Sequence, residues 1–153
     1  MRIESRGTLA VAAAVLGIAG LLVQAGLGHV GGVVTVVAWI INILLLVLLF
    51  WAGRLAKQRA WRPVWTGAWV GAVYGVFRGL AGFFTHVTAE QLQKSSHGQL
   101  SQDAIEKAVA FANSTTTHFI SLVTMIVVWA IVGLIVAWLG GTTTRRGGDD
   151  DRE

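Results

Sequence analysis

The chain has 153 residues, 54% hydrophobic and only 13% charged, about half the charged share of a soluble domain. It has no cysteine, which excludes disulfides, thiolate metal sites and cysteine nucleophiles. Its net charge of +4 is spread over the gaps between apolar runs, as in a membrane protein, and excludes a nucleic-acid-binding face.

The first apolar run is Leu9–Leu27, preceded by Arg2 and Arg6. A cleaved signal peptide ending near Val23-Gln24-Ala25 would also begin this way. The run is long enough to span, however, and it carries a stripe of Ala13, Gly17, Gly20 and Gln24 that a discarded segment does not need. A glycine-rich turn containing His29 leads into the second run, Val33–Ala52, which is rich in leucine and lacks glycine. That composition predicts the most lipid-exposed of the helices. Asn42 lies mid-span, where an amide usually bonds a neighbouring helix.

Arg54, Lys57, Arg59 and Arg62 follow with no acid among them, flanked by Trp51, Trp61 and Trp65. Such a segment suits anionic lipid headgroups, although topology alone accounts for its charges.

The third run, Val64–Phe84, places Gly67, Gly71, Gly75 and Gly79 at strict four-residue spacing. Glycine is a poor helix former, so this pattern predicts a groove for close helix contact, a glycine zipper. Matching small residues are Gly17 and Gly20 in the first run, and Ala130, Gly133 and Ala137 in the fourth. Because three helices of one chain carry them, packing within the chain is favoured over a homo-oligomer seam. Arg78 sits three residues after Gly75 and one turn beyond Tyr74. A guanidinium inside a bilayer costs at least ~2.5 kcal/mol on insertion scales and calls for a cavity, a partner or snorkelling to the headgroups. With Tyr74, Gln24 and Asn42, it forms the candidate ligand or pathway set.

The connection 85–118 is predicted to be external, with a short amphipathic helix over about Gln102 to Ala112 opened by an Asp103–Glu106 capping box. Asn113-Ser114-Thr115 matches a glycosylation acceptor. The four histidines, His29, His86, His97 and His118, all fall on this side. His86 and Glu90 are four apart, a spacing that suits one metal ion if both ride one helix, with His29 or His118 completing the set. Proton sensing is an equal rival to metal binding, and solvated surface histidines outweigh both. The fourth run is Phe119–Leu139, and the tail 140–153 is polar and predicted to be disordered.

Each run has 19 to 21 residues, close to the ~20 that cross a bilayer core. The fold expected is therefore an all-α, up-down bundle of four transmembrane helices in one domain, residues 1–139. Nine basic residues flank the runs on one side and two, Lys94 and Lys107, on the other. This count predicts a multi-pass cell-membrane protein with both termini cytoplasmic. All eight acids lie outside the four runs, so no histidine–carboxylate pair accompanies serines or threonines such as Ser121 and Thr124. An enzyme is not expected, and no cofactor is implied. The leading expectation is an accessory or scaffolding subunit acting through helix–helix contacts, in a larger complex or as a homo-oligomer. The alternatives are an oligomeric small-anion channel or carrier using Arg78, and an external metal- or pH-sensing protein using the histidines.

Overall fold

The computed structural model describes residues 6–26, 31–97 and 99–143. These residues are helical, with no strand among them: α1 (Arg6–Gly26), α2 (Gly31–Gln58), α3 (Pro63–Leu80), a 3₁₀ turn (Ala81–Phe84), α4 (Ala89–Ser95), α5 (Gln102–Ala112) and α6 (Thr115–Thr142). Two stretches, Thr35–Gln58 with 24 residues and Thr115–Thr142 with 28, are long and apolar enough to cross a bilayer. A third apolar stretch, Gly7–Val23, is shorter. A helix of equal hydrophobicity in the core of a soluble protein would be mostly buried. In the most apolar window of α6 only 6% of residues are buried, and in that of α2 28%. The remaining faces are apolar and face outward, which supports a membrane location.

Several helices run past their predicted ends. Both α2 and α6 have 28 residues. Arg54 and Lys57 therefore belong to the last turns of α2, and the α2–α3 connection shrinks to residues 59–62. The turn has a clear local cause. Ala60 takes a left-handed conformation (φ 56°), and Trp61 N–H returns to the carbonyl of Ala56 at 2.8 Å. That bond and the one from Ala60 N–H to Lys57 make a Schellman stop with alanine in the usual glycine position. Pro63 then opens α3 at its first residues, where its missing N–H costs nothing.

The predicted tail boundary at residue 140 is corrected. Gly140 and Gly141 are helical and buried, because α6 closes there against Phe50 and Pro63. Residues 144–153 lie outside the described residues, and so does any disorder expected of them.

The tightest contact in the fold is α3 against α6. A β-carbon added at Gly67 would strike the backbone of Gly133 and the side chain of Ala137; at Gly71, the carbonyl of Trp129. At Gly75 it would come within 2.6 Å of the Met125 carbonyl oxygen, and at Gly79 within 2.7 Å of the Leu122 Cα. Positions rising along α3 meet positions falling along α6, so the two helices run antiparallel. Backbone lies on backbone, and that approach is held by dispersion contacts.

α6 thus fills the α3 groove from within the chain. The α1 stripe does not enter it: Gly17 packs on Phe77, while Gly20 lies near Arg78 and Ile41. α1 touches α2 and α3, and no contact joins it to α6 among the described residues. Ala130 also gives way, since the α6 seam runs through Leu122, Met125, Ile126, Trp129, Gly133 and Ala137.

The expectation that α2 is the most lipid-exposed helix is overturned. Ile41, Leu45, Leu49 and Ala52 of α2 enter the buried core with Leu9 and Ala13 of α1 and Val70 and Tyr74 of α3. Just past the predicted run, Gly53 packs on the backbone of Ala137. Composition pointed the wrong way because leucine fills a core as well as it faces lipid. α6 is the exposed one, since it needs only a narrow small-residue edge to hold α3.

Candidate functional site

A cavity of about 230 Å³ lies among α1, α2 and α3, toward the end of the bundle formed by the carboxyl ends of α1 and α3 and the start of α2. Gly20 and Val23 reach it from α1, Thr35, Trp39 and Asn42 from α2, and Arg78 from α3. Gly20 forms part of its wall. A β-carbon there would sit 3.9 Å from both Cδ and Nη1 of Arg78, at ordinary contact distance.

Two of the pathway candidates are joined directly. The Tyr74 hydroxyl donates to Asn42 Oδ1 at 2.8 Å. Tyr74 is fully buried, and its ring meets that of Trp129 edge to face at 4.8 Å. Tyr74 therefore does not line an open path; it belongs to the core and orients the amide above it. Asn42 fills the structural role expected of a mid-span amide, and its N–H₂ makes no hydrogen bond to any described residue. Beneath the cavity the space is closed by Ile41, Leu45, Leu49, Val70 and Tyr74, all buried. The side chain of Gln24 lies outside the described residues.

The external candidates separate. His86 sits in the extended stretch 85–88, and α4 begins only at Ala89, so His86 and Glu90 do not share a helix. Glu90 is bonded instead to Lys94 at 2.7 Å. That hydrogen bond, and the charge behind it, hold the Glu90 carboxyl below its ordinary value and the Lys94 ammonium above its own. His118 stacks on Phe83 with ring centroids 5.2 Å apart. His29 lies outside the described residues. Among the described residues no three of His, Cys, Asp and Glu gather closely enough to hold a metal ion.

The predicted amphipathic helix is present at Gln102–Ala112, but its cap is corrected. Ser101, not Asp103, accepts from the helix start, at Ala104 N–H. Asp103 is drawn away to Lys107 at 2.8 Å. A reciprocal capping box does occur one helix earlier, between Thr88 and Gln91. Its sequence signal, Thr88-Ala89-Glu90-Gln91, has the required spacing.

Asn113, the first residue of the acceptor triplet, has a structural role that its motif does not announce. The Asn113 amide makes a paired bond with the backbone of Val87, donating to its carbonyl and accepting from its N–H, both at 2.9 Å. This clamp ties the stretch after α3 to the end of α5, while Ser114 caps α6 through Thr117 N–H. Arg54, Lys57, Arg59 and Arg62 are all exposed, with the Arg59 guanidinium 5.5 Å from the centre of the Trp61 ring.

Set beside known proteins, the chain matches no family model, no curated sequence and no solved structure. The site therefore rests on its own geometry.

Proposed function

We propose that this protein is a four-span cell-membrane protein that acts without catalysis, as an accessory or scaffolding subunit whose function lies in its contacts. On this reading α1, α2, α3 with its 3₁₀ turn, and α6 cross the bilayer in up-down order. The zipper of Gly67, Gly71, Gly75 and Gly79 holds α6, and both termini face the cytoplasm with Arg54, Lys57, Arg59 and Arg62 among anionic headgroups.

The observation that carries the reading is the packed floor beneath the cavity. Leu9, Ala13, Leu45, Leu49, Val70 and Tyr74 have no exposed surface, and they fill the bundle on the far side of Asn42. A channel or carrier needs a polar path, and the described bundle offers a polar chamber in one half only. The outward face of α6, with Val123, Val127 and Ile131 each more than half exposed, is the surface left for a neighbouring membrane helix.

Three measurements test this. Reporters at Arg59 and at the carboxyl terminus should face the cytoplasm, and one at Gln99 should face out; cytoplasmic labelling at Gln99 would sink the four-span topology. Photo-crosslinkers at Val123, Val127 and Ile131 in native membranes should give a discrete protein adduct, and reconstituted protein should pass no chloride or phosphate. Lipid adducts alone at all three positions, or saturable anion flux, would reject the accessory reading.

A further inference from the structure

We propose that the outward face of α6 is a self-association seam, and that the helix it meets is α6 of a second copy of this chain. The proposal rests on the membrane reading above and names the partner that reading leaves open. Position gives the first argument. Ile120, Thr124, Val127, Ile131, Leu134 and Trp138 are all exposed. Ile120 and Thr124 flank Leu122, and Val127 and Ile131 flank Trp129; Leu122 and Trp129 both belong to the edge that packs on α3. Two residues turn a helix by about 200°, so the stripe lies on the side of α6 opposite its own bundle.

Spacing gives the second. The stripe has two rows, Ile120–Val127–Leu134 and Thr124–Ile131–Trp138, each repeating every seven residues. That is the repeat with which one helix winds on another. Ile120, Thr124, Val127 and Ile131 are branched at the β-carbon, so their side chains are stiff and lose little freedom on packing. Two copies inserted with one topology bring α6 to α6 in parallel, about an axis along the membrane normal, and each side chain then meets its own counterpart. A charge in such a seam would face itself; residues 119–144 contain none.

The Thr124 hydroxyl identifies the occupant. Thr66 and Thr142 turn their hydroxyls back to the carbonyls of Arg62 and Leu139. Thr124 does not, and its hydroxyl makes no hydrogen bond among the described residues. It stands five residues inside the predicted span Phe119–Leu139, about 7.5 Å deep by the rise of a helix. Lipid tails offer it no acceptor there. A hydroxyl both donates and accepts, so an identical hydroxyl meets its need: one Thr124 donates to the other. That need selects a second copy over lipid and over a wholly apolar helix.

The chain has no cysteine, so each cysteine variant of the full chain carries a single thiol. Under mild oxidation in native membranes, Val127→Cys and Ile131→Cys should give a disulfide-linked dimer. Val47→Cys, at an exposed position of α2, is the control for random collision and should stay monomeric. Energy transfer between carboxyl-terminally tagged copies, diluted in phosphatidylcholine vesicles, then reads the affinity. Thr124→Val keeps the shape and drops the hydroxyl, and should weaken the dimer about threefold, the worth of an average interhelical hydrogen bond. Thr124→Ser keeps the hydroxyl and should stay closer to wild type. Stripe cysteines that link no better than Val47→Cys, wild type without energy transfer, or Thr124→Val pairing like wild type would each overturn the seam. A photo-crosslinker at Val127 separates this failure from that of the wider reading. An adduct with a protein of another mass, with the stripe cysteines monomeric, refutes the second copy and leaves the accessory reading standing; lipid adducts alone reject both.

Discussion

The two sides of α3 solve the same packing problem in opposite ways. Toward α6 it offers glycine every four residues, and the helices close until backbone meets backbone. Toward α1 and α2 it offers Tyr74, Phe77 and Arg78. There the glycines belong to α1, and they receive side chains rather than backbone: Gly17 takes Phe77 and Gly20 lies beside Arg78. Close approach on the first side leaves no room for polar chemistry. Wider separation on the second leaves a chamber, along with the polar side chains that α2 and α3 direct into it. One helix thus separates a structural seam from a candidate site, and the size of the residue at each register position draws the line.

The largest test of this contrast is Gly75→Leu. Its β-carbon alone would come within 2.6 Å of the Met125 carbonyl oxygen and 2.8 Å of the Ile126 Cα, neither of which can yield without moving α6. Overpacking typically costs ~1–3 kcal/mol and more where backbone must shift. A loss of ~3 kcal/mol or outright misfolding is expected, read as thermal stability and monodispersity in detergent. Unchanged melting would show that the α3–α6 seam is not the tight contact described.

A smaller loss is expected from Tyr74→Phe. The ring and its edge contact with Trp129 remain, and only the bond to Asn42 goes. Interhelical hydrogen bonds in membranes average ~0.6 kcal/mol, so stability should fall by about that amount. A drop of several kcal/mol would mean that the hydroxyl does more than hold the amide.

The smallest destabilisation, or none, belongs to Gly20→Ala. Its β-carbon would meet Arg78 and Ile41 at 3.9 Å, an ordinary contact, and the change gains up to ~1 kcal/mol of helix propensity. The melting temperature should stay level or rise slightly. A loss as large as that of a groove glycine would erase the distinction between the two sides of α3.

Much of this was legible from composition and spacing. Runs of about 20 apolar residues can only be helices in lipid, because backbone polar groups must be satisfied within the segment. Four glycines in register announce a close contact whatever fills it. Ile105, Ala108, Val109 and Ala112 recur at 3–4 spacing, and the helix they announce is present at Gln102–Ala112 with Ile105 buried.

Other features depend on residues far apart in sequence, and those the tertiary structure decided. Spacing could not say whether α1 or α6 fills the groove, since both carry small residues; the deciding factor is a continuous edge, which α6 has from Leu122 to Ala137. Leucine content could not say that α2 is a core helix, because lipid and protein interior are alike in polarity and differ only in which neighbours arrive. Nor could the lone Asn42 and Tyr74, 32 residues apart, announce their bond. Local chemistry fixes where a helix begins, ends and turns a small face. Which face meets which is a property of all the helices at once, and the chamber beside Arg78 is lined by residues of three helices that only that assignment brings together.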